Sequence, residues 1–163
     1  MTDPSGRLPP LYLDMPCPFP VEFIAAAVLH ASDGRYLFQL RDDKEGLPLR
    51  NHWALFGGAV DPGEDGRDAA LREIHEELDY RARHCIWFHE AFYVLPRVKN
   101  RVVRKAYYLM NIEAGDVDGM TLGEGSDMKL MSLDELLVLP NVAPWDLAVV
   151  MLHARQRRIF PEQ

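Results

Sequence analysis

Cysteine is nearly missing from this chain: 163 residues carry only Cys17 and Cys85. Two thiols without metal-ligand spacing exclude a disulfide scaffold and a cysteine-based metal site, so both read as plain thiols in a reducing compartment. Long apolar runs are missing too. None approaches the roughly 18 to 20 residues that a membrane span needs, and the opening MTDPSGRLPP has neither the basic nor the apolar region of a signal peptide. The expected location is therefore cytoplasmic, with no membrane as partner. Positive charge is the third shortage, with 18 Lys and Arg against 25 Asp and Glu, a net charge of −7. That balance disfavours a nucleic acid polymer, whose nonspecific affinity comes from cations meeting phosphates. It leaves room for a small phosphorylated ligand, which an acidic site holds through a divalent cation that reverses the local sign of charge.

What the chain does have, 48% hydrophobic and 26% charged residues, suits one globular core. Six of its twelve prolines precede Val21, so residues 1–20 read as an extended arm and 21–163 as a single domain. VEFIAAAVLHA and GRYLFQLR, joined by an Asp33-Gly34 turn signal, predict a β-hairpin, and WALF a short strand. CIWFHEAFYVL and RVVRKAYYLMNI predict two more strands with a turn at Pro96 to Asn100. EAGDVDGMTLGEGSD reads as loop. SLDELLVL opens with a Ser132–Glu135 capping box, and APWDLAVVMLHARQRRIF reads as a terminal helix with its cations in the last turns. Strands, a helix, more strands and then helices predict an α+β domain in which a mixed sheet lies between helices.

The chemistry concentrates in GGAVDPGEDGRDAALREIHEELDY, Gly57 to Tyr80. Asp65 is the expected N-cap of a helix over Gly66 to Leu78. At about 100° per residue, Glu73, Glu76 and Glu77 share an arc of roughly 100°, while Leu71, Ile74 and Leu78 gather on another. A charged helical stripe usually means a solvated face, but here no lysine follows Arg72 to relieve the repulsion. The acids also stand at the C-terminal end of the helix, where the dipole opposes them. A hard divalent cation would remove the repulsion, since Mg2+ prefers carboxylate oxygens and keeps waters and phosphate oxygens in its shell.

This stretch resembles the signature of the Nudix hydrolase family, G-x5-E-x7-R-E-U-x-E-E-x-G-U with U a bulky apolar residue. Gly58, Glu64, Arg72-Glu73-Ile74, Glu76-Glu77 and Tyr80 match it over 23 positions; Asp79 stands where the family has glycine. Asp tolerates the left-handed conformation of a helix C-cap at about 1 kcal/mol, so a small stability cost is expected with the chemistry intact. The resemblance implies a Nudix fold and a Mg2+ cofactor, with Mn2+ as substitute. By the same resemblance Glu76, Glu77 and the Gly57 carbonyl would ligate metal, Glu73 would ligate or act as general base, and Arg72 with Glu64 would orient the carboxylates. A further acid often completes such sites, and Glu124 is the first choice with Asp127 second.

The implied reaction is attack of water on a diphosphate bond in a nucleoside diphosphate linked to another group X, with a sugar nucleotide or ADP-ribose-like compound slightly ahead. A MutT-like nucleoside triphosphate pyrophosphohydrolase and a non-catalytic nucleotide sensor are the alternatives; a cysteine-dependent isopentenyl diphosphate isomerase ranks low. Arg97, Lys99, Arg101, Arg104 and Lys105 form a cationic run, from which Arg104 is a candidate for holding substrate, as are Arg41 and Trp53. The partner is thus a small-molecule nucleotide, and a homodimer is compatible with the residues.

Overall fold

A computed structural model describes residues 21–94 and 102–160. The expected proline-rich arm and the Pro96 to Asn100 turn lie outside the described residues, as do Arg97, Lys99 and Arg101. The order is β1 (Val21–Ala31), β2 (Tyr36–Leu40), β3 (Trp53–Ala54), β4 (Phe56–Ala59), α1 (Gly66–Leu78), β5 (Ile86–Val94), β6 (Val102–Ile112), a 3-10 turn (Ala114–Gly119), β7 (Asp127–Met131), α2 (Leu133–Val138) and α3 (Pro144–Ile159). No helix is long and apolar enough to cross a membrane.

One mixed sheet organises these elements. β1 runs parallel to β6 through eleven residue pairs, and on its other side it pairs antiparallel first with β4 and then with β2. β5 pairs antiparallel with β6, β3 and β7 with β2. Because side chains alternate along a strand, the sheet has two cores. Ala25, Ala27 and Leu29 of β1 and Ala106, Tyr108 and Met110 of β6 pack beneath Ala69, Ala70, Ile74 and Leu78 of α1. Ala26 and Val28, with Tyr107, pack on the other face against Leu136 of α2 and Val149 and Val150 of α3. Burial on both faces explains why β1 reads as a nearly continuous apolar run.

Ala25, Ala26 and Ala27 of β1 also let β4 come close. A Cβ at Gly57 would stand 2.2 Å from the Ala25 carbonyl oxygen, and Gly57 has φ +132, so only glycine fits. That approach brings β4 alongside α1, which begins and ends where the sequence indicates. The Asp65 side chain accepts from the Arg67 N–H, and Asp79 closes the helix in the left-handed conformation, φ 49 and ψ 32, its N–H donating to the His75 carbonyl. The capping box at Ser132 and Glu135 is present as well.

Two expectations need correction. The segment read as loop after Glu113 contains the 3-10 turn and ends in β7, whose Leu130 and Lys129 pair with Leu37 and Phe38. The WALF strand is split, because the Leu55 N–H turns from the sheet to donate to the Asp146 carboxylate at 3.0 Å.

Asp79→Gly removes the side chain from a left-handed position at the cost of one exposed His75 contact. It is expected to stabilise the domain by about 0.5–1 kcal/mol, measured as a rise in the denaturant midpoint at unchanged m-value; an unchanged or lower midpoint would contradict this account of the cap.

Candidate active site

The end of α1 and the strand beside it build the site. Glu77 lies on the face of the helix turned to β4 and is only 5% exposed. A buried carboxylate needs donors, and two are supplied: the Gly57 N–H donates to Glu77 Oε2 at 2.9 Å and Gln39 Nε2 to Oε1 at 3.3 Å. Glu73 lies one turn back, over Gly58, where a Cβ would come within 2.5 Å of its carboxylate. Glycine at both positions is therefore what lets the strand backbone and the helix carboxylates meet.

Arg72 ties the acids together. Its guanidinium makes a fork to Glu64, Nε to Oε1 and Nη2 to Oε2, both at 2.9 Å. Nη1 donates to Glu73 Oε1 at 2.7 Å and to Glu76 Oε2 at 3.1 Å, and Nη2 also reaches the Ala59 carbonyl at 3.1 Å. Glu64 and then Glu73 raise the Arg72 pKa, and the Arg72 hydrogen bonds hold the Glu64 carboxyl below its usual range. One cation thus serves three carboxylates on one side, and among the described residues none reaches Glu77.

The loop after the 3-10 turn delivers Glu124. Thr121 N–H donates to the Leu78 carbonyl at 3.0 Å and Gly123 N–H to the Glu77 carbonyl at 2.7 Å, so this loop satisfies the last carbonyls of α1. Exposed Glu124 follows directly, close enough that its charge raises the pKa of both Glu73 and Glu77. Asp127 is exposed, accepts from the Met128 N–H at 2.8 Å and heads β7.

Burial is the main cause that pushes Glu77 up to about 7, with the charges of Glu73 and Glu124 adding to it; burial likewise leads in raising Glu73. The cluster therefore has more negative charge than its donors compensate. Carboxylate oxygens are the donors that suit Mg2+ or Mn2+. Among the described residues no three His, Cys, Asp or Glu side chains converge in ligating geometry, and Arg72 draws Glu73 and Glu76 toward itself.

Beside Gly57 and Gly58 opens a cavity of about 310 Å3. Ile24, Leu47, Leu49, Leu55 and Val103 give it apolar walls, and Glu22, Arg41, Tyr93, Lys105 and Asp146 bring polar groups. Arg41 donates from Nε to the Pro48 carbonyl at 3.2 Å, which braces the 42–52 loop. In that loop Leu49 and Asn51 have φ 54 and 55, an unusual conformation for non-glycine residues, above all for leucine. Asn141 Nδ2 holds the Asn51 carbonyl at 2.8 Å.

Two expected substrate residues are placed elsewhere. Trp53 packs on the α3-side core, its backbone bonded to Asn141 and Ala143, and does not line the cavity. Arg104 donates to Glu90 at 3.0 Å and covers the Phe23 ring at 4.4 Å, on the α1 face of the sheet. Alternation along β6 turns the next residue, Lys105, into the cavity instead. Parity with Tyr107 was the available signal, but Tyr107 and Tyr108 are both buried aromatics and gave no hint of which face was which.

Glu77 generates a pH dependence of stability. A carboxyl whose folded pKa lies above its ordinary value of 4.5 stabilises the fold fully below about 4.5, and that contribution is lost as pH rises through about 7. Without divalent cation, stability should fall between those limits by up to about 3 kcal/mol from this group. Glu77→Gln should remove that part of the slope, and millimolar Mg2+ should offset it in the parent chain. Melting curves of both proteins from pH 4.5 to 8 test this; identical slopes would contradict it.

Comparison with known proteins agrees with this architecture. Residues 22–152 match the NUDIX domain family profile. Within 48 residues, 29% of this chain, it is 50% identical to the nucleoside triphosphatase NudI of Escherichia fergusonii, and that match spans 33% of the relative's length. The fold superposes on a MutT protein from Methanosarcina mazei Go1 with a TM-score of 0.73 at 17% identity, covering 87% of this chain and 99% of that one. It superposes on a C. elegans Ap4A hydrolase with a TM-score of 0.65 at 22% identity, covering 85% and 99%. These structural likenesses show the Nudix fold, and the family match extends across most of the chain. The chain belongs to the NUDIX domain family.

Proposed function

We propose that this domain is a divalent-cation-dependent hydrolase cleaving a diphosphate bond in a small nucleotide, with a nucleoside triphosphate as substrate class. The observation that carries the reading is the Gly57–Gly58 pair. One side of it meets the carboxylates of α1, and the other lines the apolar-walled cavity, whose charged groups are Arg41, Lys105, Glu22 and Asp146. A nucleotide is built to the same plan, with a flat base at one end and phosphates at the other.

In this reading Glu76, Glu77, Glu124 and the Gly57 carbonyl hold Mg2+, for which Mn2+ can substitute. When bound, the ion supplies charge neutralisation and lowers the pKa of water. Water attacks phosphorus, the bridging P–O bond breaks, and the bridging oxygen leaves with its electron pair. Glu73, half-buried and raised in pKa by burial, takes the proton that the attacking water gives up. Arg72 and Glu64 act as positioning residues, their fork fixing where Glu73 and Glu76 point. This reading gives phosphate to Arg41, which lines the cavity beside Gly57 and Gly58.

Arg104, a candidate for holding substrate, is engaged with Glu90 and Phe23 instead. NudI, named a nucleoside triphosphatase, supports the triphosphate reading through its short match. A cysteine-based isomerase finds no nucleophile in Cys85, which is buried, with burial pushing its thiol up to about 11.

Phosphate and pyrophosphate release under Mg2+ from nucleoside triphosphates, NDP-sugars and ADP-ribose tests the proposal. Triphosphates should be cleaved, and Glu77→Gln should cut turnover by at least two orders of magnitude, since a ligand charge is lost at the ion. Arg72→Ala should lower kcat by about 10- to 100-fold. Turnover of the NDP-linked compounds alone would replace the substrate class; nucleotide binding without any turnover would establish a sensor.

A further inference from the structure

The floor of the cavity holds a charged pair that the reaction described above does not use. Lys105 Nζ lies 2.7 Å from Asp146 Oδ1, with the two side chains 12% and 2% exposed. Buried ion pairs stabilise folds little compared with apolar side chains of similar volume, so stability does not account for this one. Both members line the cavity next to Gly57 and Gly58.

The hydrogen bonds show what the pair offers a ligand. Asp146 Oδ1 accepts from Lys105 and also from the Tyr107 hydroxyl at 3.1 Å, and Oδ2 accepts from the Leu55 N–H at 3.0 Å. Asp146 also stands in the first turn of α3, where the helix dipole favours an anion. The carboxylate is thus fixed from three directions. An ammonium carries three donors, and among the described residues Asp146 is the only hydrogen-bond acceptor engaging Lys105; the Tyr107 ring lies 5.2 Å from Nζ. Lys105 thus brings unengaged donors to the floor, and its charge is matched by that of Asp146, so phosphate gains no net attraction there.

We propose that Lys105, held by Asp146, is a specificity-determining residue that selects nucleobases with a carbonyl oxygen on the edge entering the cavity, the 6-oxopurines and 4-oxopyrimidines. A carbonyl oxygen accepts the free ammonium hydrogen. An exocyclic amino group at the same place turns its own hydrogens toward the cation and leaves a buried donor unpaired, which is the costly case. The inference rests on reading this cavity as the base end of the nucleotide site.

Binding of monophosphates separates the two, because they contain no diphosphate bond to cleave. Calorimetric titration of the full chain with inosine and adenosine monophosphates, differing at the 6-position, should give at least tenfold tighter binding of the inosine compound, with uridine over cytidine monophosphate in the same direction. Lys105→Met should bring both ratios near one. The double variant Lys105→Met with Asp146→Asn, which leaves no carboxylate buried alone, should do the same, and melting curves verify that both variants are folded. Equal binding in the parent chain, no binding of any monophosphate, or a preference that survives in both variants would overturn the assignment. A carbonyl preference that depends on Lys105, in a chain that hydrolyses no triphosphate, would sustain the assignment and overturn the proposed reaction instead.

Discussion

A carboxylate buried at the end of a helix is the constraint on which this domain depends. Glu77 lies where the helix dipole is unfavourable and water is excluded, and its two donors come from Gly57 and Gln39, both on sheet strands. For the Gly57 N–H to reach it, β4 must run close against β1, and that closeness requires glycine at 57 and small residues in β1. The loop carrying Glu124 must then fold over the end of α1, because the carbonyls of Glu77 and Leu78 take their donors from it. Local backbone, sheet order and loop placement thus all follow from accommodating one acid.

Arg72 solves the other half of the problem. Its fork to Glu64 and its contacts with Glu73 and Glu76 neutralise the outer acids, while the inner one retains excess negative charge. Such an asymmetry is what a cation site needs: acids oriented by a fixed guanidinium, with uncompensated charge facing the place where the ion would sit. The cavity beyond Gly58 is built differently, with apolar walls and the Lys105–Asp146 ion pair. Two environments on either side of a two-glycine junction can hold the two unlike ends of one ligand.

How much of this could be read in the sequence depended on range. Helix α1 was legible to its ends because Asp65, Asp79 and the Ile74–Leu78 stripe act within a few residues, and the Ser132–Glu135 capping box for the same reason. The acidic cluster was legible as crowding, but not the division of labour within it, since Glu77 is buried against Gly57 of β4 and Glu76 is exposed. β7 was missed because DMKLM is short and polar at its start, and it becomes a strand only through β2. Arg104 was favoured over Lys105 because both faces of β6 are covered, so the usual alternation of polar and apolar residues does not reveal which way each side chain turns. Asp146 gave no local sign at all; its importance comes from Leu55, Lys105 and Tyr107, residues far from it in sequence.

The central claim is that the cluster around Glu77 is a divalent cation site. Calorimetric titration of Mn2+ near pH 6.5, in two buffers of different ionisation enthalpy, tests it most directly. Because Glu77 titrates near 7 in the cation-free fold, binding should release a substantial fraction of a proton, and Glu77→Gln should weaken binding and abolish the release. Binding with no proton release, or binding indifferent to Glu77→Gln, would contradict the account.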